Sequence, residues 1–225
     1  MGVTTAPVIN GTHERILHCA LELFAERGFH GTGIRDIAAR AEISTANLYH
    51  YGSKEQLLSQ IMTSSLTRLL TAADIIRARV KDPDERLDAL VRLHVITHAL
   101  SPQASNVVDD QVGALDDTSR DEVIALRDRY ESFYADVVEQ GVATGAYTVP
   151  DVSAARLGIL EMCSGVARWF SPTGRFSALE VADIHVKLVR SLLQAAPSAV
   201  PGTPNWLIDT INDIWALAVS APEAA

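Results

Sequence analysis

The sequence predicts an all-α chain, and three observations carry that expectation. Apolar residues recur at three- and four-residue spacing over most of the 225 positions. Cap-and-acid signals stand in front of most of those runs. No stretch alternates apolar and polar residues as a half-buried strand would, and the dipeptide Asn10-Gly11 lacks the flanking alternation of a hairpin.

The elements follow in order. Ile16, Leu17, Ala20, Leu21, Leu23 and Phe24 mark a first helix over Glu14 to Arg27, stopped by Gly28. Ile34, Ile37, Ala38 and Ala41 mark a short second helix opened by Thr32. Ser44 caps a third, running through Leu48 to about Tyr51. Ser53 and Gln56 form a capping box before a long fourth helix towards Val80. Asp82-Pro83-Asp84-Glu85 opens a fifth that reaches about Leu100. From Ser101 to Thr118 the pattern is mixed, broken by Pro102, with room for one short helix. Ser119 with Glu122 opens a helix to about Thr144, Asp151 one to Phe170, Ser177 with Glu180 one to Gln194, and Asn205 to Val219 is the last. This gives a domain over residues 1–60, a second over 61–195, and a Pro-rich connector with an appended helix over 196–225.

Composition narrows the class. The chain is 48% hydrophobic and 21% charged, a globular balance. The longest charge-free stretch, Ser191 to Ile208, holds Pro197, Pro201 and Pro204 and is no membrane span. Met1 to Thr12 has neither a basic residue nor an apolar core, unlike a signal peptide. Cys19 and Cys163 are too few and too far apart for a disulfide scaffold, which suits a reducing, cytoplasmic setting. Net charge is −9, of which residues up to Gln60, with five basic and six acidic side chains, carry −1. Such a protein does not coat nucleic acid indiscriminately, because phosphate neutralisation drives non-specific binding. Any DNA contact must be local and geometrically defined.

Three short helices within about fifty residues, the second and third joined at Ala41-Glu42-Ile43-Ser44, describe a helix-turn-helix. With Leu48 and Tyr51 facing the core, Thr45, Ala46, Tyr49 and His50 face outward and Asn47 lies on the flank, side chains suited to base edges, thymine methyls and phosphates. Lys54, in the first turn of the next helix, would add a phosphate contact. Periodicity alone also fits a plain three-helix bundle whose third helix is merely solvated.

The runs Leu23-Phe24-Ala25-Glu26-Arg27-Gly28-Phe29, Gly31-Thr32-Gly33-Ile34-Arg35-Asp36-Ile37-Ala38, Ala41-Glu42-Ile43-Ser44, Asn47-Leu48-Tyr49-His50-Tyr51 and Ser53-Lys54-Glu55 together resemble the TetR family of transcriptional repressors over residues 13 to 60. The resemblance implies a homodimer on a palindromic double-stranded DNA operator, released when a small molecule enters the C-terminal domain. It makes Thr32, Arg35, Ser44, Thr45, Asn47, Tyr49, His50 and Lys54 DNA-contact candidates. Two departures stand out. Glu42 occupies a turn position where glycine is usual, and positive φ there costs a non-glycine residue about 1 kcal/mol. The segment before Ser53-Lys54 is one residue shorter than usual, reduced to Gly52.

In the C-terminal half, the helix from Asp151 to Phe170 is apolar nearly all round, so it must be buried on several faces. The next helix presents Val181, Ile184, Leu188, Val189 and Leu192. Two such helices per subunit, packed on their copies, make a four-helix dimer interface that sets the two reading helices ~34–36 Å apart. An ordinary intramolecular core is the alternative. His94, His98, Arg129, Tyr130, Phe133, Tyr134, Met162, Trp169 and Phe170 gather on helices suited to surround an effector pocket. Arg168 interrupts an apolar helix, either complementing a helix C-terminus or gripping an anionic head group. His94 and His98 have metal-compatible spacing, with Asp109 or Asp110 as further candidates, but no third ligand is identified and no metal or other cofactor is assigned.

Arg168-Trp169-Phe170, Gly174-Arg175-Phe176-Ser177 and Glu180-Val181-Ala182-Asp183-Ile184 are similar to the tail of TetR regulators that sense acyl-coenzyme A thioesters. That resemblance makes Arg168 and Arg175 candidates for phosphate contacts. A non-CoA hydrophobe, such as an antibiotic or lipid, is the alternative effector. A helical enzyme or partner-binding module stands further off: Cys163 lies in an apolar helix that would keep its thiol inert, and no catalytic motif is present. The last helix carries Trp206, Leu207, Ile211, Ile214, Trp215 and Ala218, a stripe that must pack on its own subunit or on a partner.

Overall fold

The structure, a computed structural model, describes residues 11–216. It is all-α: α1 (Thr12–Arg27), α2 (Ile34–Arg40), α3 (Thr45–Leu48), α4 (Lys54–Arg79), α5 (Pro83–Leu100), α6 (Pro102–Asp110), α7 (Asp117–Thr144), α8 (Val152–Ser164), α9 (Val166–Trp169), α10 (Ala178–Leu192) and α11 (Asn205–Trp215). The expected reading of Met1 to residue 10, and the end of the last helix beyond residue 216, lie outside the described residues.

Most starts and stops come from local chemistry legible in the chain. Gly28 at φ 70° ends α1, its N–H donating to the Phe24 carbonyl at 3.0 Å. Ser44, Asp82, Asp151 and Ser177 each accept from the backbone N–H three residues on. The Ser53–Gln56 and Ser177–Glu180 boxes close in both directions.

Four boundaries differ from expectation. Gly33, not Thr32, caps α2, with the Asp36 carboxylate accepting from the Gly33 N–H at 3.0 Å. Pro102 opens α6 instead of breaking the chain, because a proline at a helix start loses no intrahelical bond. Asp116 takes the cap expected of Ser119, accepting from both its N–H and its hydroxyl, so α7 begins three residues early. The helix expected over Asp151 to Phe170 is divided after Ser164 into α8 and α9.

The chain forms two compact units. The first takes the described residues up to Thr67 and Gln103–Arg127; the second takes Arg68–Pro102 and the residues from Asp128 onward. Both α4 and α7 therefore contribute to each unit, and Gln103–Arg127, which the sequence pattern assigned with the later part of the chain, packs with the first.

In the first unit Ile16, Ala20, Leu23 and Phe24 of α1 meet Ile37, Leu48, Leu57, Leu58 and Met62, sealed by Val107, Leu115 and Val123. In the second, α5 is buried from Leu87 to Ala99 and packs chiefly on α10, with α8, α9 and α11 around it. A helix buried on every side needs an apolar circumference or paired polar groups, and α5 has both. Leu207, Ile208 and Ile211 of α11 are buried in this same unit, and the Arg79 guanidinium lies 5.0 Å from the Trp206 ring centre.

Candidate functional site

The candidate reading surface is built outward from the α2–α3 turn. Ala41 is fully buried and its carbonyl accepts from Arg15 Nε at 3.1 Å. Glu42 then adopts φ 55°, the left-handed conformation expected of it, while the Glu42 and Ile43 N–H groups donate to Ala39 and Ala38. Ser44 caps α3, and fully buried Leu48 seats that helix on the core. Ala46, Asn47, Tyr49 and His50 consequently stand exposed, Thr45 half-exposed, with Tyr49 60% accessible. Tyr51 is half-buried and stacks on His13 at 5.7 Å.

Little positive charge is available around this face. Arg40 is held by Glu26 in a two-pronged bond of 2.8 and 3.0 Å, with Glu22 at 3.7 Å, and this bond holds the Glu26 carboxyl below the ordinary range. Arg27 lies 4.0 Å from Asp36. Arg35 is exposed and has no ion pair among the described residues. Beside α3 an open groove of about 420 Å³ is lined by Tyr49, His50, Tyr51, Gly52, Gln56, Ser59, Gln60 and Ser119. Sequence reasoning missed the last four, because the turn at Gly52 (φ 140°) and the folding-in of α7 bring them there.

Two expected contact residues point elsewhere. Thr32 is buried, and its hydroxyl donates to the Leu23 and Gly28 carbonyls at 3.1 and 2.9 Å, completing the C-terminal end of α1. Lys54 Nζ donates to the Phe29 and Thr32 carbonyls, both at 2.9 Å, and sits 4.0 Å from the Phe29 ring centre.

Of the expected effector residues, one set converges. His94, His98, Tyr130, Phe133 and Tyr134 are all buried in the second unit. The two nitrogens of His94 meet Tyr130 Oη at 3.2 Å and Ser164 Oγ at 2.9 Å; its ring stacks on His98 at 3.9 Å. His98 Nδ1 donates to the His94 carbonyl, and Tyr134 Oη to that of Leu90, both at 2.8 Å. Burial, and then the neighbouring His98 and His185, hold His94 well below the usual imidazole range; burial brings His98 down to about 4. The island is therefore neutral. Met162 and Phe170 are half-buried.

The other candidates stand apart. Arg129 is exposed and paired with Asp74 at 2.9 Å. Arg168 and Trp169 are exposed at the end of α9, Trp169 stacking on buried His185 at 6.2 Å, and Arg175 is exposed with its guanidinium 4.8 Å from the Phe176 ring centre. Ser164 was not anticipated, since its role arises only from helix packing.

Family models match both parts of the chain: that for bacterial regulatory proteins of the tetR family over residues 16–61, and that for the tetracyclin repressor-like C-terminal domain over residues 80–193. The chain belongs to the TetR family. It is 30% identical over 183 residues to the HTH-type transcriptional repressor KstR2 of Rhodococcus jostii, covering 80% of this chain and 90% of that protein. Among solved structures, KstR2 of Mycobacterium tuberculosis is 25% identical at a TM-score of 0.74, covering 83% of this chain and 96% of that one. AibR, solved with isovaleryl coenzyme A and operator DNA, gives the same identity and TM-score, covering 83% of this chain and all of that one.

A TetR-family chain is a DNA-binding transcriptional regulator and not an enzyme. Burial pushes the Cys163 thiol up to about 12, leaving it protonated and unreactive at neutral pH. Among the described residues no helix is long and apolar enough to cross a membrane.

Proposed function

We propose that this TetR-family regulator represses transcription as a homodimer on a palindromic operator and is released by an acyl-coenzyme A thioester. The observation that carries the DNA reading is the wet face of α3, with Thr45, Asn47, Tyr49 and His50 presented outward above buried Leu48. Arg35 and Ser44 are exposed as well. A helix held this way offers hydrogen-bonding and aromatic groups to base edges in a major groove. The scarcity of free cations around it makes recognition depend on those contacts more than on phosphate attraction.

The dimer reading rests on an uncovered apolar face of α8 and α10. Leu157, Leu188 and Leu192 are 49%, 47% and 40% exposed, and Gly158 lies close to Leu192. Leucines repeated on adjacent helices suit burial against a second copy of the same face.

The effector reading places the apolar, neutral end of the ligand at the His94–Tyr130–Ser164 island and its anionic head group towards Arg168 and Arg175. AibR, solved with an acyl-coenzyme A and DNA together, supports this choice over a non-CoA hydrophobe. Ligand binding favours a conformation with weaker operator affinity, and by linkage the operator weakens ligand binding equally. Gel-shift titration against the promoter region of the protein's own gene, with and without acyl-CoA, tests the reading. Calorimetry showing no acyl-CoA binding, or bound acyl-CoA leaving operator affinity unchanged, refutes the effector assignment.

A further inference from the structure

We propose that Lys54 is a positioning residue of the reading unit, an internal staple, and not a phosphate contact. It is the first residue of α4 and stands directly after the Gly52 turn that ends the α3 segment. Its ammonium donates back to the carbonyls of Phe29 and Thr32, 25 and 22 residues earlier, in the turn that leads into α2. One side chain therefore joins the approach to α2 to the exit from α3, closing the helix-turn-helix into a ring.

The receiving turn is fixed from its other side as well. The Thr32 hydroxyl bonds the Leu23 and Gly28 carbonyls, and Phe29 is buried against Phe24, ring centres 5.6 Å apart. Two charge-assisted bonds and the face of the Phe29 ring surround Nζ. To reach a phosphate, Lys54 would have to abandon both carbonyls and leave the α2 approach held by the Thr32 bonds and the Phe29–Phe24 packing alone. The turn into α4 is tight: Gly52 stands at φ 140°, and a Cβ there would meet the Gln56 side chain at 3.1 Å.

The inference rests on operator binding by the α3 face, and the test separates the two. Lys54→Met keeps the methylene stem over Phe29 and removes the ammonium; Lys54→Gln restores a shorter, neutral donor. In DNA-free protein, amide hydrogen exchange over residues 33–37 should speed up in Lys54→Met and fall between Met and wild type in Lys54→Gln. A side chain that touches only DNA would leave that exchange unchanged, which would overturn the proposal whether or not the protein binds its operator. With operator, Lys54→Met should weaken affinity about tenfold or more at every salt concentration, with the slope of log affinity against log salt unchanged. Removal of a phosphate contact lowers that slope by about 0.9 per subunit. A slope reduced as much as in Arg35→Gln would make Lys54 a phosphate ligand, and unaltered affinity would deny it any positioning role.

Discussion

Asp88 and Arg190, 102 positions apart, form a two-pronged ion pair inside the second unit, Nε to Oδ1 at 2.8 Å and Nη2 to Oδ2 at 3.1 Å. Both side chains are almost wholly buried. Arg190 Nη1 also donates to the Ala196 carbonyl, and the Ser198 hydroxyl to Asp88, so the pair holds the Pro-rich connector against α5 and α10. Arg92 does the same one turn further along α5, through Asp183 at 2.9 Å and the Val200 carbonyl at 3.1 Å. The connector is thus a strap with specific anchors. Asp88→Ala strands a buried guanidinium and should cost about 3–5 kcal/mol, measured by urea denaturation; a loss below ~1 kcal/mol would show that the pair acts like a surface contact.

The buried histidines set a pH dependence. In the folded chain His94 and His98 hold their protons less tightly than the ordinary pKa of about 6.5, His98 at about 4. Their neutral forms belong to the fold, so the stability they contribute is complete above the unfolded pKa. It is lost as pH falls from about 6.5 towards 4, at about 1.4 kcal/mol per pH unit for each histidine. Urea midpoints at pH 7.5, 6.0 and 5.0 should fall in that order, and the fall should shrink in His98→Gln. A midpoint flat over this range would contradict burial of the pair.

Glu42 at φ 55° carries strain that glycine would not. Glu42→Gly should raise stability by up to about 1 kcal/mol, reduced by the freer unfolded chain, and should tighten operator binding by removing a negative charge beside the reading helix. Thermal melting and anisotropy titration read the two effects separately. Lower stability together with weaker binding would mean that Glu42 makes a contact the turn requires.

Leu188→Glu with Leu192→Glu places charges on the exposed face of α10 without disturbing the monomer core. The variant should run as a folded monomer in analytical ultracentrifugation and lose operator affinity. A dimer that survives both changes would place the interface elsewhere.

The sequence carried most of the helices because their ends are written in nearby residues: Gly28, Ser44, Asp82, Ser53 with Gln56, Ser177 with Glu180. The outward face of α3 was legible for a similar reason, since burying Leu48 decides where its neighbours point. What escaped depends on groups brought together by packing. Thr32 and Lys54 look like surface polar residues until α1, α2 and α4 meet. Ser164 gains its role only by facing His94, 70 positions earlier. The Asp88–Arg190 and Arg92–Asp183 pairs did leave a signal: Asp88 and Arg92 are two charges one turn apart within an otherwise apolar stretch, and buried charges require partners. At α7, Asp116 and Ser119 competed for the same cap, and the choice fell to the longer helix.

The most direct test is an anisotropy titration of wild type and the Thr45→Ala, Tyr49→Ala double variant on a promoter fragment, with native mass spectrometry of the same samples. At about 1–3 kcal/mol for each base contact, the variant should lose the operator while remaining a dimer. Equal affinity of the two proteins would contradict the assignment of α3 as the element that reads DNA.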